Sequence, residues 1–181
     1  MAVVGSSVGA PAAAIDLEES IALGARTILT FGSCGSLRKD LPIGHAVLPT
    51  AALSNEGTSK QYGGSRWAHP DASLVQRIRR ACVRQSLSVR EGAVWTTDAV
   101  YRESRSRARG LVRRGVLGVE MEASALFTVG GHRGARVASL LVVSDELAGD
   151  AWKPGFDDPD FRRGVGESLK AVVDVMSGAL P

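Results

Sequence analysis

The chain has 181 residues, 44% of them hydrophobic, with 22 Lys and Arg against 19 Asp and Glu, a net charge of +3 and a pI near 9.2. That length suits one globular domain, residues 1–181, burying about 70% of the surface its unfolded chain exposes; two cysteines, Cys34 and Cys82, exclude a disulfide framework and carry no metal-ligand spacing. No apolar run approaches the roughly 18 residues of a membrane span, and "MAVVGSSVGAPAAA" lacks the basic start and unbroken apolar core of a signal peptide, so a cytoplasmic protein with no membrane partner is the expectation.

Pro11 opens a helical stretch, "PAAAIDLEESIALG", that Gly24 closes, in the usual order of proline start and glycine stop. "RTILTFG" reads as a buried strand ending at Gly32, and "HAVLPTAAL" as a second strand. "ASLVQRIRRACVRQ" has the apolar spacing of an amphipathic helix. "SVREGAVWTT" is a strand and "ESRSRARGLVRR" a helix. The densest basic cluster, Arg102 to Arg114, lies in "YRESRSRARGLVRRG", which spans this helix. Without interleaved aromatics, and interrupted by Glu103, the cluster reads as a solvated face rather than a nucleic-acid patch, with anion steering the alternative. "GVLGVE" is a strand, "MEASALFTVGG" a helix stopped by Gly130 and Gly131, "ARVASLLVVSD" the longest apolar strand, and "PDFRRGVGESLKAVVDVMS" the last helix.

Strands that alternate with helices, several nearly all apolar, predict an α/β domain with a sheet covered on both faces. Ligands in such folds gather beyond the carboxyl ends of the strands. Four strands here end in polar residues, "GSCGS", "WTTD", "VEME" and "VSDE", and are expected to converge on one crevice.

"FGSCGSL" reads as a strand followed by a glycine turn whose amides and Ser33 hydroxyl can face an anion, or as only a tight turn. Cys34 has no local base and reads as structural. In "VEMEAS", Glu120 and Glu122 stand where an apolar strand hands over to a helix. Burying a carboxylate without a partner costs several kcal/mol, so one of them must have a partner elsewhere. Glu122 either favours the helix N-terminus by its charge or accepts hydrogen bonds from a vicinal diol, with the Met121 thioether against a sugar ring. Asp145, in "LLVVSDEL", either caps the segment after the strand or, among apolar neighbours, holds a proton it can donate.

Together these motifs are more specific than apart. "GSCGSL", "EGTS..Y" (Glu56 to Tyr62), "TTDAVYRE", "GVLGVEMEAS" and "VVSDEL" resemble, in order and spacing, the nucleoside phosphorylase family of purine nucleoside and uridine phosphorylases, with "GVEMEA" the most diagnostic piece. The resemblance implies a three-layer phosphorylase/hydrolase-like fold, a central mixed sheet flanked by helices. It implies phosphorolysis of the N-glycosidic bond of a nucleoside, with inorganic phosphate as co-substrate and no metal or organic cofactor. It further implies a homo-oligomer built from dimers, a hexamer in some members, and no nucleic-acid partner. Asp145 matches the proton donor to a purine N7, Glu122 the residue holding the 2′- and 3′-hydroxyls, and Met121 the ribose contact. Val119 and Ser144 would line the base pocket. Ser33 and Gly32 would bind phosphate, and Val8, Val100 and Tyr101 are further substrate contacts.

The match has departures. Thr30 stands where phosphorylases carry an arginine, one that nucleosidases of the same superfamily, which use water, also lack. Val100 stands where a base-stacking phenylalanine is usual, with Trp95 or Tyr101 expected to compensate. Ser104 and Ser106 replace the residues that read uracil, which turns the expectation toward purines. The resemblance also leads to the expectation that the chain either starts late at Met1 or is a fragment, with the family's first strands, its Gly-Asp-Pro-type phosphate loop and that loop's arginine missing. Hydrolysis of the same bond, or binding without turnover, are the rival expectations.

Overall fold

The computed structural model describes residues 2–5 and 7–178; Met1, on which the expected late start rests, lies outside them. The described residues form seven strands: β1 (Thr27–Ser36), β2 (Ala46–Asn55), β3 (Trp67–Ala68), β4 (Val89–Thr97), β5 (Val116–Glu120), β6 (Arg136–Glu146) and β7 (Lys153–Pro154). Helix α1 (Ala10–Ala22) precedes the strands, α2 (Thr58–Gln61), α3 (Ala72–Arg84), α4 (Arg105–Val112) and α5 (Ala123–His132) run between them, and α6 (Pro159–Met176) follows. Local chemistry sets several ends. Gly24 turns the chain out of α1 at φ +103°, a conformation that favours glycine. The Asp71 carboxylate accepts the Leu74 N–H at the start of α3, and Asp158 accepts the Asp160 N–H ahead of Pro159 in α6.

The sheet is mixed, in the order β3-β2-β4-β5-β1-β6-β7. β1–β6, β2–β4 and β4–β5 are parallel, while β1–β5 and β6–β7 are antiparallel. A further antiparallel pairing of β2 with β6, Ala46 to Val142 and Val47 to Leu141, closes five strands into a ring. The alternation of side chains along a strand then divides the core. Val47 and Leu141 face α1 and α5, with Leu17, Leu126 and Phe127. Leu48 and Leu140 face α3 and α6, with Ile78, Ala81 and Val175. A third cluster under α4 holds Trp95, Leu53, Leu111 and Val116. The expected α/β architecture, helices on both faces of a mixed sheet, is what the chain forms.

Two expected element ends are corrected. β1 does not stop at Gly32 but runs to Ser36, because β6 stays hydrogen-bonded alongside it from Thr27 to Ser36. "GSCGS" is therefore strand, and no nest of turn amides forms there. Its second glycine serves close approach instead: a Cβ on Gly35 would lie 2.4 Å from a Leu147 methyl and 2.9 Å from Asp145 Oδ2. Likewise α5 passes through Gly130 and Gly131 to end at His132, since Gly130 lets the helix lie on β6, where a Cβ would come 2.3 Å from Val137 Cγ2.

Gly164 makes the same point for α6. A Cβ there would fall 2.0 Å from the Gly44 carbonyl oxygen, in a turn that Gly44 enters at φ +86°. Backbone cannot yield as a side-chain end can. Gly164→Ala is expected to cost about 2–3 kcal/mol through overpacking and to lower Tm by roughly 5–10 °C. Gly166→Ala, on the open side of the same helix, should add up to about 1 kcal/mol. Thermal denaturation of the pair checks the contrast.

Candidate active site

A crevice of about 740 Å³ opens where β1, β5 and β6 meet the loop after β4. β6 contributes Ser144 and Asp145, and an irregularity in the ladder aims them. Cys34 pairs with Val143 but Gly35 pairs with Asp145, so Ser144 is an extra residue on β6. Such bulges bend a strand and redirect its side chains. Here the Ser144 hydroxyl reaches the Cys34 carbonyl at 3.3 Å and the Asp145 Oδ1 at 2.7 Å. Trp152 Nε1 donates to the other oxygen, Oδ2, at 2.8 Å.

β5 hands over to α5 through Glu120, Met121 and Glu122, and the two carboxylates divide the work. Glu120 is the buried one. Its Oε2 accepts the N–H groups of Glu122 and Ala123, the first amides of α5, at 2.8 and 2.6 Å. Its Oε1 accepts the Thr96 hydroxyl. Thr96 in turn accepts the Ser124 N–H, and the Ser124 hydroxyl donates to Glu56. Burial pushes the Glu120 carboxyl up to about 7, and these donors resist the push. Glu56 is held low: burial works against its charge, but donors from Ser54, Ser59 and Ser124 outweigh that. The network ties β4, β5 and α5 together behind the crevice.

Glu122 borders the crevice and also has protein partners. Its Oε1 accepts the N–H of Gly9, just before α1, at 2.6 Å, and its Oε2 the Met121 N–H at 3.3 Å. Each oxygen keeps further acceptor capacity.

The other expected residues border the same space. Val119 and Met121 line its floor and Gly32 and Ser33 its β1 side, with Val8, Val100 and Tyr101 around it. Tyr101 is 99% exposed. Thr30 lines it too, its hydroxyl paired with that of Ser139. Some expected convergence does not occur. "WTTD" stays behind the crevice, where Thr96 serves Glu120. Trp95 is fully buried under α4 with the Arg107 guanidinium 4.8 Å from its ring, so it cannot take the place of a stacking aromatic. Ser104 caps α4 instead of facing the crevice. Cys34 lies in the wall, and burial, with the charges of Glu120 and Asp145, pushes its thiol up, an inert thiol.

Glu103, Trp152 and Phe156 are among the lining residues that escaped the sequence reading. Glu103 is half-buried on the loop after β4, and burial, with Asp145's charge second, pushes its carboxyl up to about 7. Trp152 and Phe156 come from the segment "AWKPGF" and put two aromatic rings on the crevice. Large aromatics in a proline- and glycine-bearing loop were the available signal.

A family profile described as the phosphorylase superfamily matches residues 1–176. The chain belongs to the phosphorylase superfamily. Among this member's curated relatives is a guanosine phosphorylase of Halorubrum lacusprofundi, 26% identical over 99% of this chain and 75% of its own length. DeoD-type purine nucleoside phosphorylases of Myxococcus xanthus and Clostridium novyi are 35% and 30% identical over 81% of this chain. The chain spans 63% and 64% of those two. No helix among the described residues is long and apolar enough to cross a membrane.

Proposed function

We propose that this phosphorylase-superfamily chain is a nucleoside phosphorylase that cleaves the N-glycosidic bond of purine nucleosides. The observation that carries the reading is one crevice bordered by both Glu122, beside Met121, and Asp145, beside Ser144; the names of the relatives agree with it. Phosphate oxygen forms a bond to C1′ as the bond from C1′ to the base nitrogen breaks, and the sugar passes through an oxocarbenium-like state, as in glycoside hydrolysis. Asp145 gives its proton to N7, so the purine leaves neutral and the electron pair of the broken bond stays on the base. Glu122 accepts the 2′- and 3′-hydroxyls and Met121 packs on the ribose. Val119, Ser144, Val100, Tyr101 and Val8 surround base and sugar. Ser33 and Gly32 are the phosphate contacts. The same reading carries a cytoplasmic homo-oligomer built from dimers, which light scattering measures.

Glu122→Gln tests the sugar contact. The amide oxygen keeps the Gly9 N–H, but the charged acceptor to the diol is lost, a bond worth roughly 1.5–3 kcal/mol. The expected result is about a 10- to 100-fold loss in kcat/KM on ribonucleosides, with 2′-deoxynucleosides less affected. Equal activity of variant and parent on inosine rejects the assignment.

One observation favours hydrolysis as a second reading. Among the described residues, the crevice is bordered by Glu103, Glu120, Glu122 and Asp145 and by no lysine or arginine, and the Thr30 hydroxyl is committed to Ser139. Strong phosphate sites use cationic, often bidentate, donors. Turnover of guanosine, inosine and adenosine with and without phosphate decides: dependence on phosphate supports phosphorolysis, and equal rates support water as the nucleophile.

A further inference from the structure

After Asp145 and Glu146 the chain leaves the sheet and returns as β7, antiparallel to β6, with Asp145 opposite Pro154 and Glu146 opposite Lys153. The Lys153 ammonium meets the Glu146 carboxylate at 3.0 Å and pins the hairpin. Trp152 is the residue just before β7, and the hairpin brings its indole back over the residue that ended β6. Its Nε1 lies 2.8 Å from Asp145 Oδ2, while Ser144 holds Oδ1. The ring itself is 59% exposed and borders the crevice with Phe156.

Leaving so large an apolar ring half in water forgoes the stabilisation its burial would bring. An indole N–H donates and never accepts, so Trp152 cannot take the proton of Asp145. It is also neutral, so it can fix the carboxyl's rotation without the full positive charge of an arginine or lysine, which would favour the ionised form and leave the carboxyl without the proton it has to give. Each carboxyl oxygen has a second lone pair. With Ser144 and Trp152 each occupying one, the carboxyl plane is set by two donors from opposite ends of the hairpin. The exposed ring borders the crevice, and aromatic faces favour offset stacking with a planar base.

We propose that Trp152 is the positioning residue for Asp145: its N–H holds the carboxyl plane in the orientation that presents the proton to the purine, and its ring is the wall on which the base packs. The proposal rests on the reading of Asp145 as the proton donor. It assigns two separable roles to one side chain, hydrogen-bond handle and packing surface, and places the packing surface beyond β6, not at Val100.

Three variants separate the roles, because the ring and the N–H can be removed independently. Trp152→Phe keeps a ring and loses the N–H. Trp152→Ala loses both. Asp145→Ala removes the proton donor. Guanosine needs a proton on its leaving base, whereas 7-methylguanosine already carries the positive charge and does not. For Trp152→Phe the expected result is about a tenfold fall in kcat on guanosine, with KM within about twofold and little change on 7-methylguanosine. Trp152→Ala should in addition raise KM on both substrates by about tenfold. Equal slowing of both substrates by Trp152→Phe, or slowing of neither, overturns the proposal. If Asp145→Ala leaves guanosine cleavage intact, the reading of Asp145 fails; if it slows guanosine and Trp152→Phe does not, the Trp152 proposal alone fails.

The bond itself is read without turnover. Removing Asp145 should change tryptophan emission in the parent, which holds Trp152, and should not change it in the Trp152→Phe background. An emission change of the same size in both backgrounds places the effect on Trp67 or Trp95 and overturns the proposal. Melting curves of Trp152→Phe should match the parent, since the ring is replaced by a ring at an exposed position.

Discussion

Asp145→Ala will slow the cleavage of guanosine and inosine by about 10²–10⁴-fold, the usual contribution of a positioned acid, and will leave 7-methylguanosine within a few-fold of the parent. The expectation comes from where the side chain stands. Asp145 lies at the end of the longest apolar strand, both oxygens are held by neutral donors, and it borders the crevice. Nothing in its surroundings couples it to the core as Glu120 is coupled, so the fold should survive the change with little shift in Tm. Equal slowing of both nucleosides would make Asp145 a structural residue and move the proton source elsewhere in the crevice.

The largest effect on stability belongs to Glu120. Glu120→Ala strands the Thr96 hydroxyl and the N–H groups of Glu122 and Ala123 in a buried place. Unpaired buried groups cost about 1–3 kcal/mol each. Allowing for relaxation, a loss of about 3–5 kcal/mol is expected, and a Tm lower by about 10 °C or more. Glu120→Gln is different, since its oxygen can accept both N–H groups and its NH₂ can donate to Thr96.

The pair also gives a pH test. Burial raises the Glu120 carboxyl from its ordinary 4.5 to about 7, so the folded state binds this proton more tightly than the unfolded state does. That contribution is fully present below about pH 4.5 and is lost as pH rises through about 7. At 1.36 kcal/mol per unit it amounts to about 3 kcal/mol. Glu103 shifts in the same direction but is present in both proteins and cancels from their comparison. Between about pH 5 and pH 8 the parent should therefore lose stability relative to Glu120→Gln, read as a closing or reversing gap in Tm. Parallel pH profiles would show that Glu120 keeps its charge throughout.

The order of the long elements was legible in the sequence because local rules govern it, whereas the short α2, β3 and β7 were not read. The Pro11 start and Gly24 stop of α1, the apolar run of β6 and the amphipathic spacing of α3 depend only on neighbours along the chain, and each appears where read. The pairing of Glu122 with Asp145 in one crevice was also legible, because ligands of α/β domains gather beyond the carboxyl ends of the strands and the motif resemblance named both residues.

What the sequence could not carry was decided between residues far apart in the chain. β1 passes straight through "GSCGS" because β6 holds it by hydrogen bonds, and the glycine that looked like a turn is there to clear Leu147 and Asp145. Trp95 looked available to a base and is sealed under α4. Glu120 found its partners in Thr96 and the first amides of α5, and Glu122 found the Gly9 N–H, 113 residues away. Trp152 reaches Asp145 only because a hairpin folds back over the end of β6. The local pattern determined where the long helices and strands lie, and the motif resemblance singled out Glu122 and Asp145. Packing and hydrogen bonding across the closed sheet decided which carboxylate is buried, which faces the crevice, and which aromatic stands beside it.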